Sequence, residues 1–379
     1  MQASLSEKVQ DKTNGDRTPV ISLHQVNKVF ETDAGPFTAL KNINIDFYQG
    51  EFIGVTGKSG SGKSTLINMI TGIDHPTKGE IRVGSDVLNH LSESDMARWR
   101  GKNLGIVFQF YQLLPMLSLF ENILLPMDLS DVIPFEDREE RAMWLLERVG
   151  MEAYADKMPS EISGGQQQTI AVARALANDP AIMIADEPTG NLDSKTAERV
   201  FHLFEQMRQE GKTIIMITHD PALANRTSRQ VVISDGELIH PILHQHMRTM
   251  SHPLLLQATH ALESVTLQPG EPLIRSGDEV EDIYFVENGL VSVWVDKPRG
   301  ERVEAVQLSA GCVLGEIETL TNLPAQATIL PTNGDPVQLL RLSRRLFEQL
   351  LEKDALVKHR FSQLAHKRLT ENQMIRAAI

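Results

Sequence analysis

Nine residues near the start of the chain have the types and spacing of a phosphate-binding loop. They occupy positions 57–65, read GKSGSGKST, and fit GxxxxGK[ST] with Gly57, Gly62, Lys63 and Ser64 at the fixed positions. Glycines let consecutive backbone N–H groups turn inward around an anion. The lysine can reach the terminal phosphates of a nucleotide, and the serine hydroxyl can ligate Mg²⁺. The motif therefore predicts a nucleoside triphosphate site.

The segments on either side of this loop are those that the motif requires. An apolar run at 52–55 predicts a strand, and the apolar spacing at 66–70 predicts a helix that closes at Gly72. A helix that begins at the loop directs its unpaired N–H groups and its positive dipole end at the phosphates. The residues expected to contact ATP are Gly57, Ser59, Gly60, Ser61, Gly62, Lys63, Ser64 and Thr65.

Two adjacent carboxylates follow a second apolar run. Residues 181–185 predict a buried strand, and Asp186 and Glu187 come directly after it. Because neighbouring negative charges repel each other, we favour a shared Mg²⁺ environment over an ordinary acidic turn. Asp186 is then expected beside the metal or on its bound water. Glu187 is expected to face the water that attacks the terminal phosphate, a role that typically contributes roughly 10²–10⁴-fold to the rate.

Two further polar residues stand at predicted strand ends. Gln109 follows the β-like run 105–108, and His219 follows the run 213–217. Open parallel sheets bind their ligands at this edge, so Gln109 could approach the metal and His219 could line the site. The alternatives are a solvated loop glutamine and a capped loop histidine, and neither residue decides the question alone.

Two candidates carry a competing structural explanation. Ser163, Gly164, Gly165 and Gln166 precede a helical pattern, so they predict either a second anion site at a helix start or an ordinary N-cap. Phe30 ends the first β-like run. Its ring could stack on an adenine base or pack in the core, and the sequence leaves both open.

The bulk composition excludes several classes of protein. The chain has 379 residues, 41% of them apolar and 23% charged, as in a globular protein of two or three domains. A net charge of −13 argues against nucleic-acid binding. One cysteine, Cys312, excludes an internal disulfide framework. No uninterrupted apolar run reaches 18 residues, so no membrane span is expected. Residues 1–19 are expected to be a disordered leader.

Taken in order, the motifs resemble those of the ATP-binding subunit of an ABC transporter. Residues 20–240 carry the phosphate loop, Gln109, ISGGQ, IMIADE, NLD and His219. The stretches VFQFYQLLP and EPTGNLDS are similar to the branch that contains macrolide-efflux, lipoprotein-release and cell-division ATPases. Ile162 replaces the usual leucine, and Thr169 replaces the usual arginine or other long polar residue. We expect little effect of either on the chemistry.

The resemblance implies an α/β fold, a P-loop ABC ATPase domain with a helical subdomain. It implies that ATP and Mg²⁺ bind between two cassettes that pair head to tail as a homodimer. ATP on Lys63 of one chain is then capped by Ser163 and Gly165 of the other, with Asp193 also at the nucleotide. Glu187 then positions water, and His219 contacts the γ-phosphate. Ser64, Asp186 and Gln109 approach the metal, and Gln109 links the metal to the helical subdomain.

The resemblance also implies a membrane partner. A groove at residues 109–121 is expected to receive a helix of a separate permease subunit. The protein is then cytoplasmic and peripheral on the inner face of the cell membrane. Two other functions compete with this one: a soluble ABC-type ATPase that acts on ribosomes or DNA, and a nucleotide-responsive sensor. The single cassette, the lack of heptads and the acidic balance disfavour the first of these.

The second half of the chain has a different periodicity. Residues 262–335 contain short β-like runs separated by Gly and Pro turns, which predict an antiparallel roll, and two helices follow from Ser343. Residues 257–379 resemble a cyclic-nucleotide-binding domain, a β-roll with C-terminal helices. Glu316, the ribose contact, is retained, whereas Ala325 replaces the phosphate-binding arginine. Losing that charged clamp costs several kcal/mol by analogy, so cyclic-nucleotide binding is not expected.

The segment between the two domains, 241–256, is expected to be a linker. Five histidines stand in or beside it, at His240, His244, His246, His252 and His260. Metal binding is conceivable there, but no carboxylate or cysteine completes a ligand set. We therefore favour a plain linker.

Overall fold

The chain divides into two units at Leu238 and Ile239, and each has its own sheets and core. The structure, a computed structural model, describes residues 18–298, 300–332 and 334–377. Of the expected leader, residues 1–17 lie outside this range, and Pro19 already begins the first strand.

The first unit alternates strands with helices, as the apolar runs of the sequence predict. Its strands are β1 (Pro19–Thr32), β2 (Gly35–Tyr48), β3 (Phe52–Thr56), β4 (Lys78–Val83), β5 (Asp86–Val87), β6 (Leu104–Val107), β7 (Ile182–Asp186), β8 (Thr213–Ile217), β9 (Arg229–Ser234) and β10 (Glu237–Ile239). Its helices are α1 (Lys63–Thr71), α2 (Glu93–Asn103), α3 (Leu119–Ser130), α4 (Arg138–Arg148), α5 (Gly164–Ala175), α6 (Ser194–Gln209) and α7 (Pro221–Ala224).

A six-stranded sheet with the order β10-β9-β3-β8-β7-β6 forms the centre of this unit, and β9, β3, β8, β7 and β6 run parallel. Both faces of the strands are buried. Ile53 and Ile184 pack in one core with α1, whereas Phe52 and Met183 pack in a second core with α3–α6. This burial explains why the strands are continuous apolar runs. Because the strands are parallel, the residues that follow β3, β8, β7 and β6 all emerge at one edge.

A four-stranded antiparallel sheet, β2-β1-β4-β5, completes the first unit. Its residues Ile21, Leu23, Leu40 and Ile43 share the α1 core. The sheet therefore packs in one core with α1, the helix that follows the phosphate loop.

The second unit is the expected β-roll with helices. Its elements are α8 (Pro241–His246), α9 (His252–His260), β11 (Glu263–Leu267), β12 (Asp282–Asn288), β13 (Leu290–Asp296), β14 (Arg302–Ser309), β15 (Val313–Leu314), α10 (Glu316–Thr321), β16 (Thr328–Pro331), β17 (Val337–Ser343), α11 (Arg344–Lys353) and α12 (Ala355–Ala377). The strands form two antiparallel sheets, β11-β17-β12-β15 and β14-β13-β16, around a shared apolar core.

The segment 241–256 differs from the expected linker, because it forms α8 and the start of α9. Leu243, Met247 and Leu255 are fully buried there. Leu243 and Met247 lie four residues apart at α8 and its C-cap, and Leu255 lies in α9. The neighbouring histidines and prolines obscure this pattern in the sequence. The segment is therefore part of the second unit.

The histidines of this segment have structural contacts. His240 accepts a hydrogen bond from the Ile242 amide and caps α8. His246 donates from Nε2 to the Gly311 carbonyl oxygen at 2.8 Å, and its ring packs against Phe285 and Phe361. No cluster of three metal-ligating side chains occurs among the described residues. In the same part of the chain, no helix has the length and hydropathy needed to cross a membrane.

The second unit should lose stability as the solution becomes acidic. Burial lowers the pKa of His240, His244 and His246, so the unfolded chain binds more protons and stability falls as pH drops below about 6.5. The substitution His246→Gln keeps an uncharged hydrogen-bond donor for the Gly311 carbonyl oxygen. We expect its unfolding temperature to fall less than that of the wild type between about pH 7.5 and pH 5.5. Thermal unfolding across this range measures the effect.

The matched control for this prediction is His359→Gln, which changes an exposed histidine of α12. It should keep the wild-type pH dependence. An equal acid sensitivity of wild type and His246→Gln would contradict the assignment of this effect to His246.

Candidate active site

The phosphate loop joins β3 to α1, and its glycines adopt conformations that other residues avoid. Gly57, Gly60 and Gly62 have φ angles of 153°, 76° and 108°. A Cβ atom at Gly57 would lie 2.3 Å from the carbonyl oxygen of Ile233, and one at Gly62 would lie 2.7 Å from that of Ala39. The loop is therefore held tightly between neighbouring backbone segments, and only glycine fits at these two positions.

Lys63 is buried at the first position of α1, with 6% of its surface exposed. Its Nζ atom donates to the carbonyl oxygens of Gly57 at 2.9 Å and Lys58 at 2.8 Å. Burial lowers the pKa of Lys63, and the nearby carboxylates of Glu187 and Asp186 oppose this shift. A buried cation at the start of a helix attracts an anion from solution.

The loop also presents polar groups that lack partners. The buried hydroxyl of Ser61 has no hydrogen-bond partner in the structure. At the start of α1, the N-cap residue Gly62 contributes no side chain, so the first-turn N–H groups remain directed at the loop. Lysine ammonium, hydroxyls and free amides together form a donor set that suits phosphate oxygens.

Asp186 lies beside the loop at the end of β7. Its carboxylate lies near the Ser64 side chain, which favours the charged form of Asp186. Burial raises the pKa of Asp186, the adjacent Glu187 raises it further, and Ser64, Lys63 and His219 oppose the shift. The structure therefore brings together the two oxygen donors that the sequence predicts for Mg²⁺, and oxygen ligands are those that Mg²⁺ prefers.

Glu187 connects three strand ends. It follows β7 with a φ angle of 46°, and its amide donates to the Ile217 carbonyl oxygen of β8. His219 Nε2 lies 2.5 Å from Glu187 Oε1, and Gln109 Nε2 donates to Glu187 Oε2 at 3.2 Å. A cleft of about 490 Å³ opens beside the Glu187–His219 pair and gives water access to it. The three predicted catalytic residues are therefore in direct contact.

The Ser163–Gln166 segment forms a capping box at the start of α5. The Ser163 hydroxyl accepts from the Gln166 amide at 3.3 Å, and the Gln166 side chain accepts from the Ser163 amide at 2.9 Å. The N-cap interpretation therefore holds in this structure. The hydrogen bonds described for these residues are local, and none of them reaches the phosphate loop. Asp193 caps α6 by accepting hydrogen bonds from the Lys195 and Thr196 amides, and its bonds to Thr196 lower its pKa.

The first unit is similar to proteins of known family. The family described as "ABC transporter" matches residues 40–190. The chain is 40% identical over 220 residues to the ABC transporter ATP-binding protein YknY of Bacillus subtilis. The match covers 58% of this chain and 95% of YknY. It is also 40% identical over 221 residues to the lipoprotein-releasing system ATP-binding protein LolD 1 of Chlorobium chlorochromatii, covering 58% and 90% of the two chains.

The chain belongs to the family of ABC transporter ATP-binding proteins. A solved structure of the ATP-binding cassette MJ0796 of Methanocaldococcus jannaschii, a dimer bound to ADP and phosphate, has a TM-score of 0.55 and 38% identity. The match covers 58% of this chain and 97% of that chain. The first unit is therefore an ATP-binding cassette, and the protein is an ATPase.

A second family, described as "Cyclic nucleotide-binding domain", matches residues 264–354. Within this domain, Glu316 is almost fully buried, with 1% of its surface exposed. Ala325, at the position of the expected phosphate arginine, is buried in the apolar core. The roll therefore keeps the acidic residue of the pocket and lacks the basic one.

Phe30 of the cassette lies outside the hydrophobic core, because 36% of its surface is exposed. Its ring contacts the Lys28 ammonium, with Nζ 4.8 Å from the ring centroid, and its strand neighbour is Phe37. The exposure removes core packing as an explanation for Phe30 and leaves the ring accessible to a base.

Thr196 and Tyr111 also support the cassette motifs, and sequence reasoning missed both residues. Thr196 hydrogen-bonds Asp193, and its methyl group would lie 2.5 Å from a Cβ atom at Gly165. A Cβ atom at Gly164 would lie 2.7 Å from the hydroxyl oxygen of Tyr111. The position of Thr196 three residues after an N-cap aspartate was the one available signal.

Gly57→Ala should abolish tight ATP binding. The added methyl group would overlap the Ile233 carbonyl oxygen, so the loop must shift, at a cost of roughly 1–3 kcal/mol in stability. We expect ATP affinity to fall at least about tenfold, because the loop donors no longer converge on the phosphates. Titration with a fluorescent ATP analogue and thermal unfolding measure the two effects.

The matched control is Gly84→Ala. Gly84 also has a positive φ angle, 58°, but a Cβ atom there would meet nothing within 4 Å. It should lose about 1 kcal/mol of stability from backbone strain and keep its ATP affinity. Wild-type binding by Gly57→Ala would show that the loop does not hold the nucleotide.

Proposed function

We propose that this chain is the ATP-hydrolysing subunit of an ABC transporter or of a transmembrane envelope machine, which sends force across the membrane without moving a substrate. The proposal rests on one observation: Lys63, Asp186, Glu187, Gln109 and His219 converge at the carboxyl edge of one parallel sheet. This convergence combines a phosphate site, oxygen ligands for a metal and a carboxylate that can act on water.

The phosphate loop, residues 57–65, binds the triphosphate. Its backbone N–H groups surround the phosphates, and Lys63 exchanges its bonds to the Gly57 and Lys58 carbonyl oxygens for bonds to phosphate oxygens. Ser64, Asp186 and Gln109 hold Mg²⁺. When bound, the metal offsets negative charge on the phosphates. The Ser64 hydroxyl and the Asp186 carboxylate are near each other, so both oxygens would be available to the metal.

Hydrolysis depends on Glu187. Its carboxylate orients a water molecule and accepts a proton as the water oxygen attacks the γ-phosphorus. The bond from that phosphorus to the oxygen of ADP breaks, so ATP and water yield ADP and phosphate. Gln109 and His219 hold the two carboxylate oxygens of Glu187 in this structure. The His219 side chain is 49% exposed. When ATP is present, it rotates from Glu187 to contact the γ-phosphate.

Two copies of the chain complete each site. Ser163, Gly164, Gly165 and Gln166 begin α5, and among the described residues their capping bonds are local. The first-turn N–H groups of α5 that the capping box does not use then receive a phosphate from another chain. Asp193 lies at a neighbouring helix start. The dimeric state of the similar MJ0796 cassette supports the same arrangement here. ATP closes the dimer, and hydrolysis opens it.

A separate permease subunit binds beside Gln109. The segment 109–121 carries exposed apolar side chains, with Phe110 at 70%, Leu114 at 40% and Met116 at 76% exposure. An exposed apolar group of this kind marks a protein contact. The chain then works at the inner face of the cell membrane, and the β-roll serves regulation or dimerisation without binding cAMP in the usual way.

Glu187→Gln should abolish ATP turnover and preserve ATP-dependent dimerisation. The amide keeps the shape of the carboxylate but cannot accept the proton of water, so the rate should fall at least about 100-fold. Phosphate release measures turnover, and analytical ultracentrifugation with and without ATP measures dimerisation.

The control for this prediction is Glu140→Gln, an identical change at an exposed position of α4, which should keep the wild-type rate. Turnover near the wild-type level in Glu187→Gln would remove Glu187 from its proposed role. Loss of turnover together with loss of ATP binding would indicate a structural role instead.

Phe30→Ala should weaken ATP binding if the exposed ring stacks on adenine. Stacking of a base on an aromatic side chain is worth about 1–3 kcal/mol, so we expect roughly tenfold lower affinity. Phe30→Tyr should keep the wild-type affinity. The control is Phe37→Ala, which removes the exposed ring opposite Phe30 in the strand pair. Equal affinities of Phe30→Ala and wild type for ATP would contradict the stacking contact.

A further inference from the structure

The ligand pocket of the β-roll is nearly full. Its walls come from β13, β14, β16 and the start of α10, and the space that remains measures about 60 Å³. Pockets that accept small molecules measure roughly 300–1,000 Å³. A cyclic nucleotide therefore has no room in this structure.

The side chains that fill the pocket come from the last helix of the chain. Arg368, Glu371 and Asn372 of α12 line the remaining space. Arg368 Nη1 donates to the Glu316 carboxylate at 2.5 Å and to the Val313 carbonyl oxygen at 2.7 Å. Two turns further along α12, Arg376 donates to the side-chain and backbone oxygens of Gln326.

The buried face of α12 changes character along its length. Its first half buries Val357, Phe361 and Ala365, which pack as in an ordinary amphipathic helix. Its second half turns Arg368 and the buried Asn372 toward the pocket. Polar side chains on a packing face require polar partners, and Glu316 of the pocket is the partner of Arg368.

The charge of the pocket matches this occupant. Glu316 and Glu318 are buried, with 1% and 7% of their surfaces exposed, and a buried carboxylate requires a cation nearby. Ala325 and Ala327 contribute only apolar surface. An entering phosphate would meet two carboxylates, and among the described residues that line the pocket the arginine, Arg368, comes from α12.

We propose that α12 is a tethered ligand: the Arg368 guanidinium occupies the pocket in place of a small molecule. The β-roll is then a receptor for a guanidinium group, which its own chain supplies, and it responds to forces that withdraw α12 rather than to cyclic nucleotides. This assignment is independent of the proposed ATPase chemistry, since it concerns only contacts within the second unit.

Arg368→Ala tests the assignment because it vacates the guanidinium position. We expect the full-length variant to bind methylguanidinium chloride saturably at millimolar concentration in isothermal titration, whereas the wild type shows no saturable heat. The double variant Arg368→Ala with Glu316→Gln should lose this binding, because it lacks the carboxylate that receives the cation. The matched control is Arg360→Ala, which removes an exposed arginine from the same helix and should behave as the wild type does.

Two results would overturn the proposal. One is an equal response of wild type, Arg360→Ala and Arg368→Ala to methylguanidinium, which would make Arg368 a packing residue only. The other is micromolar binding of cAMP or cGMP by Arg368→Ala, which would make the pocket a nucleotide site that α12 merely covers.

A second measurement applies even if Arg368→Ala fails to fold. Glu316→Gln keeps the shape of the side chain and removes the charge that holds Arg368. Hydrogen exchange of the α12 amides in the full chain should accelerate roughly tenfold or more, the effect expected on losing a hydrogen bond between charged groups. Arg360→Ala should leave this exchange unchanged. Wild-type exchange of α12 in Glu316→Gln would refute the tethered-ligand assignment.

Discussion

A buried ammonium group at the start of a helix is the constraint on which the cassette depends. Lys63 is almost inaccessible to water. Among the described residues, its ammonium group donates to two loop carbonyl oxygens, and Asp186 and Glu187 stabilise its charge at longer range. Burial of a charge is costly unless partners offset it. In the proposed function, phosphate oxygens replace the two carbonyl oxygens as partners of Lys63, so that binding of the triphosphate offsets this cost.

The parallel sheet explains why so few residues complete the site. Strands β3, β8, β7 and β6 are neighbours and end at one edge, so the four segments that follow them need no long loops to meet. Glu187 joins the last three of these ends through the Ile217 carbonyl oxygen, His219 and Gln109. Within the described residues, the hydrogen bonds of the Ser163 helix start are local. The proposal that a second copy brings this helix start to the phosphate loop is based on that separation.

The features that the sequence predicted depend on interactions between residues that are close in the chain. The phosphate loop, the strand ends and the helices that follow them depend on residues close in the chain, and glycine and capping patterns reveal them. The structure of 241–256 was missed because Leu243, Met247 and Leu255 are separated by polar residues that suggest a linker. The Arg368–Glu316 pair joins residues 52 positions apart, and no local pattern signals it. The exposure of Phe30 likewise follows from tertiary packing alone.

The most direct test of the account asks whether one ATP site is built from two chains. Lys63→Ala removes the phosphate loop contact of a chain. Ser163→Asp keeps an N-cap residue but places a negative charge against the phosphate. Each variant alone should be inactive, and mixing them should restore ATP turnover, because one site of the mixed dimer combines an intact Lys63 with an intact Ser163. A mixture as inactive as its components, with mixed dimers demonstrated by a tag on one variant, would contradict the account.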